Sequence, residues 1–485
     1  MQSDSLRQAT YGSFSPRTRP QRLRFEPPRM AGQRLRELVE RGPRTLVGKV
    51  EWTLPYVALL AYIFAIVTYR LPVATPAMIL GIVGLLFQRY TVRIPPLLWW
   101  FAAYLAWCLI GQTQTPYPDI VSQRIQDYGK LWLIALVVIN AVRTPGQLRF
   151  FFIFFLFCFA THPARGALFN TFLYNYSPFG RVLWNGSFGN PNQLAALTFF
   201  PLAIAAGLLK VRNQWIHRGA IASVVVLPLL ILMTQSRGAF LALALFAPLV
   251  WLGQRRKLQG LVLLLVVSGV VAAASPAGIW ERMTKLSSEG TEADSSSRQR
   301  WAIWEIAGQI IDEHAVYGVG LGAYKYAHEV TAPVVDTDVE AGGQRDTHST
   351  YLNVAAETGY PGLTIFLAMV IATVVSAERI RRRVKRSLPR IAAQIWFLEV
   401  GLFSFLLAGI FGTFPHLALL YLHLAAIVAT AETARQALAS THPPAHRHRM
   451  GIPHARVGRF RAHAVGPASA ARFPTASLPG PQPTG

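Results

Sequence analysis

Three arginines and one histidine have the setting for chemistry on an anionic substrate: Arg237, Arg298, Arg300 and His348. Arg237 stands in Thr234-Gln235-Ser236-Arg237-Gly238-Ala239, a link of almost no length between two apolar runs. A permanent charge at that depth is costly unless it snorkels to lipid headgroups or meets an anion, and its fork of donors suits a phosphate. Arg298 and Arg300 follow the acidic, serine-rich stretch 289–297, read as flexible, and precede Trp301 and Trp304, one helical turn apart. Close to a helix start, such arginines would bind an anion together with the free backbone donors, whereas the tryptophans alone indicate interfacial anchoring. His348 lies in Asp346-Thr347-His348-Ser349-Thr350. A neutral imidazole near pH 7 can take a proton from a sugar hydroxyl. Asp346 is equally able to be the base or to orient His348. Glu357 falls about two and a half turns further along the helix expected there, so it need not touch His348.

A further polar site is Gly186-Ser187-Phe188-Gly189-Asn190-Pro191-Asn192-Gln193. Asn190-Pro191 marks a turn, and Asn192 is placed to cap the next helix, where Pro201 adds a kink. Helix entry and direct substrate contact are both open to Asn190 and Asn192. Gly318-Val319-Gly320-Leu321-Gly322 lacks a preceding strand, so it reads as a turn between a helix and the distal part of the loop rather than a nucleotide site. No phosphate-binding Gly-x-x-x-x-Gly-Lys loop, dinucleotide fingerprint or His-Glu-x-x-His is present, and no metal site is expected. Cys108 and Cys158 indicate neither a disulfide framework nor a thiolate metal site. The histidines beyond His442 read as part of a solvated basic tail.

The elements that hold these residues are apolar runs. Of 485 residues, 52% are hydrophobic and 14% charged. Long uninterrupted runs predict an all-α polytopic membrane helix bundle of about twelve spans, and exclude a barrel of short alternating strands. The spans are expected to begin near Pro55, Ala74, Pro95, Leu131, Leu148, Gln193, Gly219, Gly238, Leu258, Gly359, Ile391 and Pro415, with a large extracytoplasmic loop between helices 9 and 10. The chain then divides into a disordered basic cytoplasmic tail (1–50), helices 1–9 (51–275), the catalytic loop (276–350), helices 10–12 (351–435) and a second disordered basic cytoplasmic tail (436–485). No cleavable signal is expected in the first tail, and Met30 is an alternative start.

The net charge of +24 does not point to nucleic acid, because the basic residues lack a groove-reading or stacking arrangement. They sit in tails, which suit anionic lipid, and in alternate loops. With the N-terminus in the cytoplasm, Arg89/Arg93, Arg143/Arg149, Lys210/Arg212/Arg218, Arg255/Arg256/Lys257 and the cluster 379–390 all fall inside. The loops 161–192 and 276–351 then face outward.

Four motifs, in this order, resemble the O-antigen ligase and O-antigen polymerase superfamily of bacterial envelope proteins. They are Phe188-Gly189-Asn190-Pro191-Asn192; Ser236-Arg237-Gly238; Arg300 to Trp304 with Gly318-Val319-Gly320-Leu321-Gly322; and His348 with Glu357-Thr358-Gly359-Tyr360-Pro361-Gly362. The likeness spans roughly 186–366. Ala315, where many relatives have proline, and Ser349, where asparagine is frequent, depart from the pattern.

The resemblance implies a glycosyltransferase in the bacterial cytoplasmic (inner) membrane, with its site on the periplasmic or outer side. It implies an undecaprenyl-diphosphate-linked glycan donor and no cofactor, nucleotide sugar or metal. The acceptor would be a glycan, lipid A-core or another hydroxyl. Arg237 and Arg300 would hold the diphosphate, with Arg298 as a near substitute, and His348 would activate the acceptor. Asn190, Asn192, Asp346 and Glu357 are the remaining candidate substrate contacts. Transfer to a protein hydroxyl and transport without bond formation are the other readings. A transporter should carry polar groups through the midplane of several spans, whereas the polar groups here are expected at one face.

Overall fold

The computed structural model describes residues 50–441, apart from 89, 254–256, 259, 263, 264, 267, 268, 270–291 and 338. The first tail, Met30 and the histidine-rich tail lie outside the described residues, although the last helix runs on to Thr441, past the boundary expected at 435.

Among the described residues the fold is helical, without strands, as expected of an all-α membrane protein. The helices are α1 (Leu54–Thr68), α2 (Ala74–Leu86), α3 (Pro96–Gly111), α4 (Pro118–Ala141), α5 (Pro145–Phe172), α6 (Pro191–Leu208), α7 (Gln214–Met233), α8 (Arg237–Leu252), α9 (Glu292–Glu313), α10 (Tyr324–Thr331), α11 (Thr350–Val384), α12 (Pro389–Phe411) and α13 (Ala418–Thr441). Five, α5, α6, α7, α11 and α12, are long and apolar enough to cross a membrane, while α1, α2, α3 and α8 are shorter apolar helices. The span expected from Leu258 falls in a stretch described only in part. The spans expected from Leu131 and Gly359 start too late, because α4 begins at Pro118 and α11 at Thr350. Their first turns carry polar residues, which a hydropathy reading assigns to loops. The loop 276–351 is itself structured by α9 and α10.

Glycine and aromatic contacts close the bundle. Gly84 lies against Pro55 and Gly81 against Val137, so α2 approaches α1 and α4 at backbone distance. Tyr421 of α13 stacks on Phe101 of α3 at 4.6 Å, and Phe200 of α6 stacks on His423 at 4.4 Å. α6 is interrupted at Thr198, three residues before Pro201, whose missing N–H leaves the Leu197 carbonyl without its helical donor. Large apolar side chains such as Leu86, Phe87, Trp99 and Phe157 stay exposed around the bundle, as they would be toward lipid.

The links fall at two ends. At one, Tyr69 donates to Ser187 Oγ, Gln235 Nε2 to the Gly180 carbonyl and Thr115 to the Val319 carbonyl, while Thr347 meets Thr413. At the other, Arg143 donates to the Thr91 carbonyl, Lys210 lies over Phe397 and Arg381 over Trp396. Buried polar groups are not confined to the first end, contrary to the sequence expectation: His423 meets the Leu398 carbonyl within the bundle, and Glu399 lies 3.9 Å from Arg381. Helix packing uses these groups.

One broken helix binds the segment 314–350 to the bundle. Gly359 takes φ 68 and ψ 178 inside α11, and Pro361 follows it. Both take donors from the helical ladder, and the freed groups are met from outside. Val319 N donates to the Ala356 carbonyl at 2.9 Å, Gly320 N to that of Glu357 at 3.0 Å, and Trp107 Nε1 to that of Thr358 at 2.8 Å. Tyr360 N turns to the Ala315 carbonyl. The two glycine motifs are thus halves of one backbone joint. A Cβ on Gly359 would lie 2.0 Å from the Val316 carbonyl oxygen in a backbone region disfavoured for side chains. Gly359→Ala is expected to cost on the order of 2 kcal/mol or more, read as lower abundance and an earlier melting midpoint in detergent. Gly342→Ala, whose Cβ meets nothing within 4 Å, should leave both unchanged.

Candidate active site

The link between α7 and α8 is three residues long and is held from the side. Gln235 adopts φ 52, and its Nε2 donates to the Gly180 carbonyl at 2.9 Å. Arg181 Nε donates to the Thr234 carbonyl at 2.8 Å, and its Nη2 to Asn192 Oδ1 at 2.7 Å. Val182 N adds a bond to the Met233 carbonyl. Arg237 is the first residue of α8, where the helix dipole favours an anion. Gly238 lets this helix start approach Phe411, which a Cβ would meet at 3.0 Å.

The helix-start argument made for Arg298 and Arg300 moves to Arg237. α9 begins at Glu292, so Arg298 and Arg300 lie beyond its first turn, and helix occupies part of the stretch read as flexible. Two residues apart, they face different directions: Arg298 is exposed, while Arg300 is half-buried. Burial, then the charge of Arg237, holds the Arg300 guanidinium below its usual range. These two like charges from separate elements therefore act on each other.

His348 stands in the link into α11 with φ 49, a region costly for a residue with a side chain. Its neighbours are fixed to other elements. Trp304 Nε1 donates to the Thr347 carbonyl at 2.9 Å, and Thr347 Oγ1 lies 3.1 Å from Thr413 Oγ1. Thr350 Oγ1 donates to the Gly412 carbonyl at 2.7 Å and accepts from Phe414 N. Ser349 caps α11 by accepting from Leu352 N. Serine supplies a capping oxygen at this position. Burial first, and Arg300 next, lower the basicity of His348, with Asp346 pulling the other way. The imidazole is held neutral near pH 7, as a base must be.

The other candidates fall into different places. Asp346 forms an ion pair with Lys325 at 3.3 Å. Asn190, not Asn192, caps α6, its Oδ1 accepting from Asn192 N and Gln193 N. Pro191 occupies the first helical position, which puts Asn190 one residue before the helix and leaves Asn192 for Arg181. Glu357 is buried, accepts from Asn353 Nδ2 at 3.2 Å, and its carboxyl meets the backbone N–H groups of Gly322 and Tyr324 at the start of α10. It is a buried group rather than one facing solvent.

Sequence reasoning passed over Arg181, Lys325 and His416. His416, in the link between α12 and α13, is in the field of Arg124, Asp346 and Lys325; surrounding protein and Arg124 hold its imidazole below the ordinary value. Only the expectation that the 411–418 link shares an end with the outer loop could have flagged it. Among the described residues no group of three or more His, Cys, Asp or Glu is placed to hold a metal.

No curated protein matches the chain. Residues 221–367 match the family model described as O-antigen ligase, a segment that holds Arg237, Arg300, His348 and the Gly359 joint but not the Asn190 turn. Over that segment the chain is similar to the O-antigen ligase family.

Proposed function

We propose that the protein is an inner-membrane glycosyltransferase of the ligase or polymerase type, which moves a glycan from an undecaprenyl-diphosphate carrier to an acceptor hydroxyl of a cell-envelope polysaccharide. The observation that carries this reading is that Arg300 lies within electrostatic reach of both Arg237 and His348. Two cations that disfavour each other are relieved by a ligand with more than one negative charge, and a diphosphate at the start of α8 supplies it.

The reaction is a displacement at the anomeric carbon. The acceptor oxygen attacks, the bond from that carbon to the diphosphate oxygen breaks, and the acceptor proton passes to His348. Negative charge grows on the leaving diphosphate in the transition state, where preorganised arginines act most strongly. Asp346 is engaged by Lys325, which favours His348 as the base. No covalent enzyme intermediate is needed, so inversion follows. The first end of the bundle, with its loop, then faces the periplasm.

A cysteine at exposed Gly342 should be labelled by an impermeant reagent from the periplasmic side; labelling only after the membrane is opened from the cytoplasm overturns the orientation. With purified enzyme and a lipid-diphosphate-linked glycan, Arg237→Lys keeps the charge but loses the fork, and should lose much of the turnover while still inserting. Retained turnover would reduce Arg237 to an interfacial anchor. His348→Ala should lower the rate by about 10² to 10⁴ with donor binding kept.

The neutral imidazole is the active form, so the wild-type rate should fall as pH drops through the lowered value of His348, below the ordinary ~6.5. Because Arg300 helps hold that value down, the residual activity of Arg300→Gln should lose its acid limb at higher pH than the wild type. An unmoved limb assigns the base elsewhere. In cells lacking the protein, full-length glycan stranded on the carrier means ligase, and single-unit glycan on the acceptor means polymerase.

A further inference from the structure

The segment before His348 has little structure of its own. Residues 342–345 are exposed, and Gly342 and Gly343 leave its backbone free, with Gly343 at φ 79. A histidine held at φ 49 needs restraint from both sides, since such a conformation persists only where its surroundings impose it. On the later side, Thr347, Ser349 and Thr350 are tied to Trp304, Thr413, Gly412 and Phe414 or cap α11. On the earlier side, α10 supplies the grip. Lys325 Nζ lies 3.3 Å from Asp346 Oδ1, His328 Nδ1 lies 2.8 Å from the Gly343 carbonyl oxygen, and Glu329 Oε2 accepts from Gln344 Nε2 at 2.9 Å.

Residues 325, 328 and 329 share one face of α10, so a single helix surface reads three positions of the segment. The outer two contacts are exposed and compete with water, which makes them weak. His328 is fully buried and packs against the ring of Tyr324 at 5.6 Å. A carbonyl only accepts, so the Nδ1–H tautomer of His328 is fixed and its donation to Gly343 is the strong member of the set. α10 in turn starts where Glu357 meets the backbone N–H groups of Gly322 and Tyr324.

We propose that α10 is a latch that sets the position of His348 relative to the arginine pair, with His328 as its central positioning residue through the bond to Gly343. His328 touches no substrate in this scheme. It acts by keeping the 342–348 segment in the register that leaves His348 facing Arg300. The kinetic part of the proposal rests on the glycosyl-transfer reading above; the structural part does not.

Two measurements on the full-length protein in detergent or nanodiscs separate them. Hydrogen exchange reads the latch directly: protection of 342–348 should fall in His328→Ala and return in His328→Gln, whose amide can donate to the same carbonyl. Transfer kinetics with a lipid-diphosphate-linked glycan read the consequence. His328→Ala should lower kcat by about tenfold or more with donor KM within about twofold, since a small misplacement of a reacting group is enough, and His328→Gln should recover most of the loss. If His328→Ala does not accumulate, Lys325→Met with Glu329→Ala removes the two exposed grips without opening the core, and should show a smaller effect of the same kind, lower protection of 342–348 and lower kcat with donor KM kept. Unchanged exchange in the segment, or an equal loss of kcat in the alanine and glutamine variants, overturns the latch. Altered exchange in a protein that transfers no glycan even as wild type leaves the latch standing and overturns the functional reading.

Discussion

A backbone polar group in an apolar surrounding must be paired, and at the break in α11 this requirement joins the loop to the bundle. Gly359 and Pro361 open the helix, and the displaced carbonyls of Ala356, Glu357 and Thr358 find donors in Val319, Gly320 and Trp107. The glycines at 318 and 320, both at positive φ, exist to bring that backbone close: a Cβ on Gly318 would lie 2.4 Å from the carbonyl carbon of Glu357. Everything placed by the loop inherits its position from this joint. α9 runs into it with Arg300, α10 leaves it carrying Lys325 and His328, and α11 starts from the link that holds His348.

The sequence shows most of this in outline because its strongest signals are physical ones. Long apolar runs mark the helices, and proline opens α4, α5, α6 and α12 at their first positions. A charged residue directly after a link of three marks Arg237. Where reading fails, the deciding contact is remote in sequence. The cap read at Asn192 belongs to Asn190, and only the approach of Arg181, from a loop that must fold back, gives Asn192 its task. The polar first turns of α4 and α11 are hidden because hydropathy does not separate a polar helix end from a loop. The Glu357 carboxyl, read as a candidate substrate contact, is buried and bonded to Asn353.

The same remoteness governs the electrostatics. Arg237 and Arg300 are 63 positions apart in the numbering and belong to helices joined by an incompletely described stretch, yet the charge of one lowers the basicity of the other. Arg300 in turn lowers that of His348. A cationic pair and a neutral base are thus compatible neighbours, because the arginines help keep the imidazole unprotonated. A carboxylate in the place of His348 would form an ion pair with Arg300 and lose basicity. The choice of histidine follows from the charge beside it.

That arrangement works against the stability of the fold that carries it. Left-handed backbone at His348 costs on the order of 1–3 kcal/mol, and repulsion between two guanidiniums adds to it. Neither is relieved by exposure, since Arg300 is half-buried and the link is fixed on both sides. The surrounding structure carries the cost through interactions of the opposite kind: neutral hydrogen bonds in the Thr347, Thr350 and Thr413 cluster and the backbone joint at Gly359. Such bonds hold the strained histidine in place within the field of Arg300, so an anion bound there would stabilise this end of the bundle.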